Sequence, residues 1–225
     1  MKKSHIISCV FLLVSLFGYA QKETRTIDSF KSIEVGESIN VYITKGSSNK
    51  AIIETDGVSS DKVQLDVFGN NLKIHMKSGN WRNFDASVFL EFQELEEIEV
   101  SSSADLIGKS IITGDELEIT VTSSGKATLM VDVNNLEVEV SSSGKLELTG
   151  KANYQEVDVS SSGKLYAYDL ISKKAKIEVS SSGKAEINAS QELDAEANSS
   201  GKVSYKGSPE KIYISANSSG KISKN

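Results

Sequence analysis

Seven times along this 225-residue chain a run of alternating residues breaks into a Ser-rich corner, and the interval between corners hardly varies. Six corners read Ser-Ser-Gly-Lys: Ser123-Ser124-Gly125-Lys126, Ser142-Ser143-Gly144-Lys145, Ser161-Ser162-Gly163-Lys164, Ser181-Ser182-Gly183-Lys184, Ser199-Ser200-Gly201-Lys202 and Ser218-Ser219-Gly220-Lys221. The first reads Ser102-Ser103-Ala104-Asp105. Counted from Gly to Gly, with Ala104 in the first, the steps are 21, 19, 19, 20, 18 and 19 residues. A fixed period of this length is the signature of a solenoid in which each repeat forms one coil stacked on its neighbours. The expected fold is all-β: a single-stranded parallel β-helix, right-handed, with coils of about 19 residues.

Alignment on the corner Gly separates an inside from an outside, because strand side chains alternate faces with period two. Four residues before the Gly stand Val121, Val140, Val159, Val179, Ala197 and Ala216; six before it stand Ile119, Val138, Val157, Ile177, Ala195 and Ile214. Two after it come Ala127, Leu146, Leu165, Ala185, Val203 and Ile222. These columns are the predicted core, and the polar column between the first two, from Thr120 through Glu139 and Asp158 to Ser215, belongs in water. The same parity turns Ser123, Ser142, Ser161, Ser181, Ser199 and Ser218 inward with their glycines. There the serines would hydrogen-bond one another, and Gly would supply unusual backbone angles or a close approach. Identical phase in every coil marks these serines as corner geometry, since a nucleophile needs one special serine rather than a row.

Lys126, Lys145, Lys164, Lys184, Lys202 and Lys221 form an outward column, a solvated stripe or a ligand surface. Like charges one strand apart repel by only ~1 kcal/mol per pair in water. Acidic residues outnumber basic ones by 31 to 25 over the whole chain, which makes nucleic acid an unsuitable partner.

A cleavable leader is expected over residues 1–20: Lys2 and Lys3 supply the positive start, Ile6 to Phe17 the apolar run and Gly18-Tyr19-Ala20 the cleavage pattern. The mature chain then starts at Gln21 and has no transmembrane segment, the apolar run falling short of the ~20 residues that span a bilayer. Ile6-Ile7-Ser8-Cys9 resembles a lipoprotein box, but the apolar run continues past it to Phe17, where such a box should already have closed it. Cys9 is the sole cysteine, so the exported chain has neither a disulfide framework nor a Cys-ligated metal site. Residues 21–225 are read as one domain, with opening coils and a β cap over 26–92 and the regular repeats over 93–225.

In the cap region strand signals persist without the repeat, separated by turns at Gly46-Ser47-Ser48-Asn49, Asp56-Gly57 and Gly69-Asn70-Asn71. A cap is needed because a solenoid otherwise exposes a strand edge at each end. Trp81, the only tryptophan, sits in an apparent turn with Arg82, Asn83 and Asp85, as a packing residue of the cap or a sugar-stacking platform. His75 is the only histidine after cleavage, and alternation with Leu72, Ile74 and Met76 points it outward.

Several stretches together resemble the family described as "Putative auto-transporter adhesin, head GIN domain". They are Phe30-Lys31-Ser32-Ile33-Glu34-Val35, Ser38-Ile39-Asn40-Val41, Asn71-Leu72-Lys73-Ile74, the Ser-Ser-Gly corners and Val203-Ser204-Tyr205-Lys206-Gly207-Ser208-Pro209. The resemblance implies a β-helical exported domain of Bacteroidetes with an adhesin-like role, and it supplies no catalytic residues. Nothing after Asn225 in this sequence would form a translocating barrel, so the expected destination is the periplasm, the cell envelope or the exterior.

The expected function is that of a non-catalytic adhesin-like protein or envelope scaffold, holding glycan or protein through repeated polar ladders, with no cofactor and no metal. A homo-oligomer is compatible with the uncovered end at Lys221-Ile222-Ser223-Lys224-Asn225. The alternative is a polysaccharide lyase or glycosidase on a β-helix. That enzyme would need convergent acids, whereas Glu118, Glu137 and Glu156 fall in a regular column. Calcium-binding β-helices use Gly-Asp nonapeptides, which this chain lacks.

Overall fold

The computed structural model describes residues 21–225, and the predicted leader with Cys9 lies outside the described residues. Sixteen strands among them join one continuous sheet that winds about its own core. The regular coils comprise β8 (Glu97–Val100), β9 (Asp105–Val121), β10 (Lys126–Val140), β11 (Lys145–Val159), β12 (Lys164–Val179), β13 (Lys184–Ala197), β14 (Lys202–Lys206), β15 (Lys211–Ala216) and β16 (Lys221–Lys224). All pair in parallel, and Lys126, Lys145, Lys164, Lys184, Lys202 and Lys221 are register partners in succession. The solenoid thus has coils of about 19 residues, as the period requires. No helix among the described residues is long and apolar enough to cross a membrane.

Corners stay stacked although the steps vary, because extra residues are absorbed elsewhere. The 21-residue step is corrected by a register shift between Thr128 and Met130, opposite Ile107 and Ile111. The 20-residue step shifts between Glu147 and Thr149. Such bulges add length without moving the hydrogen-bonded corner.

The predicted columns are buried through the stack: Val121, Val140 and Val159 are fully enclosed, as are Ile119, Leu146 and Leu165. In the last coil the same columns surface, with Ile214 49% exposed, Ala216 exposed and Ile222 half-buried. That departs from the expectation of a core position for all three. No further coil among the described residues covers them.

The opening coils stack in an order that differs from chain order. β2 (Ser32–Val35) and β3 (Asn40–Lys45) lie between β6 (Asn71–Met76) and β7 (Asp85–Phe92) on one side and β8 and β9 on the other. Beyond them, antiparallel strands finish the end: β4 (Lys50–Asp56) on β7, β1 (Gln21–Thr26) on β4, and β5 (Val63–Phe68) on β6. Reversing strand direction ends the parallel stack, which protects it against further addition of coils.

Candidate functional site

The corners define the most regular outer feature. At each one, two successive residues take the left-handed conformation, as in Ser123 (φ 49) and Ser124 (φ 64), or Ser161 (φ 47) and Ser162 (φ 67). The Gly N–H donates back to the residue three before it, Gly125 to Thr122 O at 2.8 Å and Gly144 to Ser141 O at 2.7 Å. This is a type I′ turn, with Ser-Ser at its centre. Between coils the second serine donates to the first serine of the next corner: Ser124 N–H to Ser142 O and Ser143 N–H to Ser161 O, both 3.1 Å.

These angles overturn the inward placement of the corner serines. Ser123, Ser142, Ser161, Ser181, Ser199 and Ser218 are all exposed, as are their partners one residue on. Two left-handed residues in a row interrupt the period-two alternation, so the parity counted along the strands does not carry through the turn. The glycines do face inward, and their role is close approach alone: none of the six has positive φ. A Cβ on Gly144 or Gly163 would lie 2.3 Å from the carbonyl oxygen of Val121 or Val140 in the coil beneath. An earlier corner, Gly36-Glu37-Ser38-Ile39, joins the same ladder, with Glu37 and Ser38 left-handed and Ser38 N–H donating to Ser102 O at 3.1 Å. It was missed in the sequence because it lacks the serine pair and has Ile39 where the other corners have Gly or Ala104.

Beside the corners runs the lysine column. Lys145 bonds Glu147 at 2.6 Å and Lys184 bonds Glu186 at 2.5 Å, each two residues on along the same strand. Those hydrogen bonds raise both ammonium pKa values above the usual lysine range. Both ammoniums also face the Tyr166 ring, at 5.3 and 5.4 Å. Lys126, Lys164, Lys202 and Lys221 form no ion pair among the described residues, since Thr128, Tyr166, Ser204 and Ser223 occupy the positions of the two glutamates.

The face on the other side of the corners carries acids. Glu97, Glu118, Glu137 and Glu156 are register partners, followed by Lys176 and Asp194; the adjacent column runs Glu34, Glu99, Thr120, Glu139, Asp158, Glu178 and Glu196. Burial, then the neighbouring Glu137, holds the Glu118 carboxyl above its ordinary pKa, and burial followed by Glu34 does the same to Glu99. Lys176 bonds Glu156 at 2.7 Å and lowers it. The carboxylates line a shallow groove as rungs of a ladder. Among the described residues no group of three or more His, Cys, Asp and Glu side chains is placed to hold a metal ion.

The two remaining candidates lie in the cap. Trp81 is half-buried against the core, its Nε1–H donating to Lys77 O at 2.6 Å and its ring lying over Gly79. With Glu37, Ser38, Met76 and Phe84 it lines a shallow recess between β6 and β7. His75 is half-buried, with Nε2 2.9 Å from Asp66 and Nδ1 3.0 Å from the Met76 carbonyl. Both ring nitrogens face acceptors, and the contact to Asp66 ties β6 to β5.

A capped parallel β-solenoid whose outer face repeats serine, lysine and carboxylate rows is, as a class, a repeat protein with an extended outer surface. The family described as "Putative auto-transporter adhesin, head GIN domain" matches residues 29–209, and this chain belongs to it. Similar solved structures include a "putative adhesin" of Bacteroides fragilis NCTC 9343, 22% identical with a TM-score of 0.84 over 92% of this chain and 97% of that one. A "putative adhesin" of Parabacteroides merdae ATCC 43184 is 21% identical with a TM-score of 0.76 over 92% and 97%. A "putative lipid binding protein" of Parabacteroides distasonis ATCC 8503 is 26% identical with a TM-score of 0.70 over 92% and 98%. No curated protein matches this chain.

Proposed function

We propose that this chain is an exported, non-catalytic protein of the cell envelope or exterior that binds glycan or protein through its repeated outer ladders, in the manner of an adhesin. The observation that carries the reading is repetition in register: the corner serines and the lysine that follows them recur once per coil on the same line from Lys126 to Lys221. A ligand that is itself repetitive meets several such groups together, so contacts too weak to hold singly add up through effective concentration. The corner serines and the lysines without an ion pair, Lys126, Lys164 and Lys202, adjoin one another along the strand and form the favoured face. Trp81, tied down by Lys77 and Gly79, is a packing residue of the cap in this reading.

The adhesin names of the structural relatives agree with a surface role, and the acids, being rungs rather than a convergent pair, favour binding over hydrolysis. The test is a glycan and protein array probed with residues 21–225, alongside the variant in which Lys126, Lys164 and Lys202 are all glutamine. Binding that the variant loses by tenfold or more supports the reading. Release of products from acidic polysaccharide by the purified protein would replace it with the enzymatic alternative.

A further inference from the structure

The solenoid has two unlike ends. One is finished by the antiparallel strands β1, β4 and β5. At the other, β15 pairs with β13 and β16 pairs with β14, and no strand among the described residues lies on their far side. Three consecutive residues of β15, Ile212, Tyr213 and Ile214, are 44%, 56% and 49% exposed. Ile212 and Ile214 are register partners of Leu193 and Ala195, which are at most 1% exposed one coil earlier, so this end presents the core in cross-section.

Backbone groups add a direction. Asn217 N–H donates to Ala197 O at 3.0 Å, inward along the stack. Alternation along the strand then turns the N–H and C=O of Ile212, Ile214 and Ala216 toward the open side. The same geometry in earlier coils serves the next strand, as where Val140 O accepts from Ser160 N–H at 3.0 Å. The end therefore offers unpaired donors and acceptors at strand spacing together with an apolar interior row.

We propose that this end is an interface between two copies of the chain, related by a two-fold axis through Tyr213, with β15 of each pairing antiparallel to the other. What fits such a surface must supply both a strand edge and apolar side chains at the matching positions, and the same end of a second copy does. Register follows from face: a pairing centred between two residues would set Ile212 against Ser215, inner against outer, so the axis must pass through a residue. Centred on Tyr213, the pairing sets Ile212 against Ile214 twice and Lys211 against Ser215, which keeps lysines from opposing each other. The cap closes the opposite end, so the contact is isologous and stops at two copies rather than growing a fibre. Residues 208–225, 18 residues that form the last described coil, come just short of the ~20 to 30 residues a side of a standard stable interface.

Tyr213→Cys tests the axis directly in residues 21–225, which contain no other cysteine. Opposed residues of an antiparallel pair lie ~4.5 to 5.5 Å apart between Cα atoms, within disulfide reach. Under mild oxidation this variant is expected to become a covalent dimer, whereas Lys211→Cys, which faces Ser215, is expected to do so at least tenfold more slowly. Light scattering of the unmodified protein at tens of micromolar should give twice the chain mass, and Ile214→Lys, with an unchanged far-ultraviolet spectrum, should give the mass of one chain. A single-chain mass for the unmodified protein throughout, equal oxidation of the two cysteine variants, or open-ended oligomers would each overturn the proposal.

Discussion

The cap and the coiled repeats solve the same problem, the satisfaction of strand backbones around a thin core, by different chemistry. In the repeats, the backbone hydrogen bonds of the corners recur in the same pattern from coil to coil. The cap relies on individual side chains. Arg25 bonds Glu23 at 2.9 Å and the carbonyls of Val63 and Ser60 at 2.8 and 3.0 Å. Glu91 accepts from Ser48 Oγ at 2.7 Å and pairs with Lys50 at 2.8 Å, while Glu37 accepts the Met76 N–H at 2.6 Å. Periodic stacking can extend indefinitely; ending it takes aperiodic residues that no neighbour reproduces.

The comparison breaks most sharply at the corner glycine. Gly163→Ala, deep in the stack, is expected to destabilise by about 3 kcal/mol, since its Cβ meets a carbonyl that cannot yield without parting the coils. Ala104, where the repeats meet the opening coils, already holds a Cβ, and Ala104→Gly is expected to cost about 1 kcal/mol or less. Urea unfolding of both variants gives the contrast. Equal losses would mean that the corners do not depend on close approach.

Burial supplies the next largest difference. Ile177 and Ile214 lie in one column, 1% and 49% exposed. Ile177→Ala should cost about 2 to 4 kcal/mol, and Ile214→Ala, in dilute protein, below about 1 kcal/mol. Smaller gains come from relieving the repeats. Gln155 is wholly buried with its Oε1 unpartnered, while its Nε2 donates to Ser172 Oγ at 2.7 Å; Gln155→Leu is expected to stabilise by about 1 kcal/mol, because Ser172 keeps its bond to Asn188 O. Ser162→Gly should add roughly 0.5 to 1 kcal/mol by removing the left-handed strain of one serine. Thermal melting measures both.

Acid should separate cap from repeats by sign. Glu23, held by its bond to Arg25, and Glu91, held by Lys50, are both lowered to about 2. A depressed carboxylate contributes stability that is present above its unfolded value and is lost as pH falls through the folded one, so the cap weakens from about pH 4.5 to 2. Glu99 and Glu118 are raised, so their contribution runs the other way: present at low pH and lost as pH rises through the folded value. Hydrogen exchange followed from neutral to acid pH should show β1 and β4 losing protection before β9 and β10. Simultaneous loss would contradict the division.

The period made the repeats legible, because burial in a stacked coil imposes the same apolar columns each time, and Val121, Val140 and Val159 lie where alternation puts them. The corner serines were misplaced because serine is not a residue whose identity announces a left-handed backbone, and alternation fails across two such residues. The stacking of β2 between β6 and β8, and of β3 between β7 and β9, was not legible: it rests on pairing between segments tens of residues apart. The recess at Trp81 likewise depends on a loop closing over the first corner, which reads Gly-Glu-Ser-Ile and carries no repeat signature. For the surface chemistry, the lysine column was plain, but which lysines lack an ion pair depends on whether Glu or a neutral residue follows two positions on.

Placement of every row rests on corners lying directly over one another, and cysteines at the second serine test this most directly. Ser143→Cys with Ser162→Cys joins adjacent coils, at a separation of ~5 Å, while Ser143→Cys with Ser200→Cys spans three coil steps, ~14 Å. A short thiol-bridging reagent should link the first pair within one chain at high yield and leave the second unlinked. Equal linking of both pairs, or linking of neither in folded protein, would contradict the stacked-corner account.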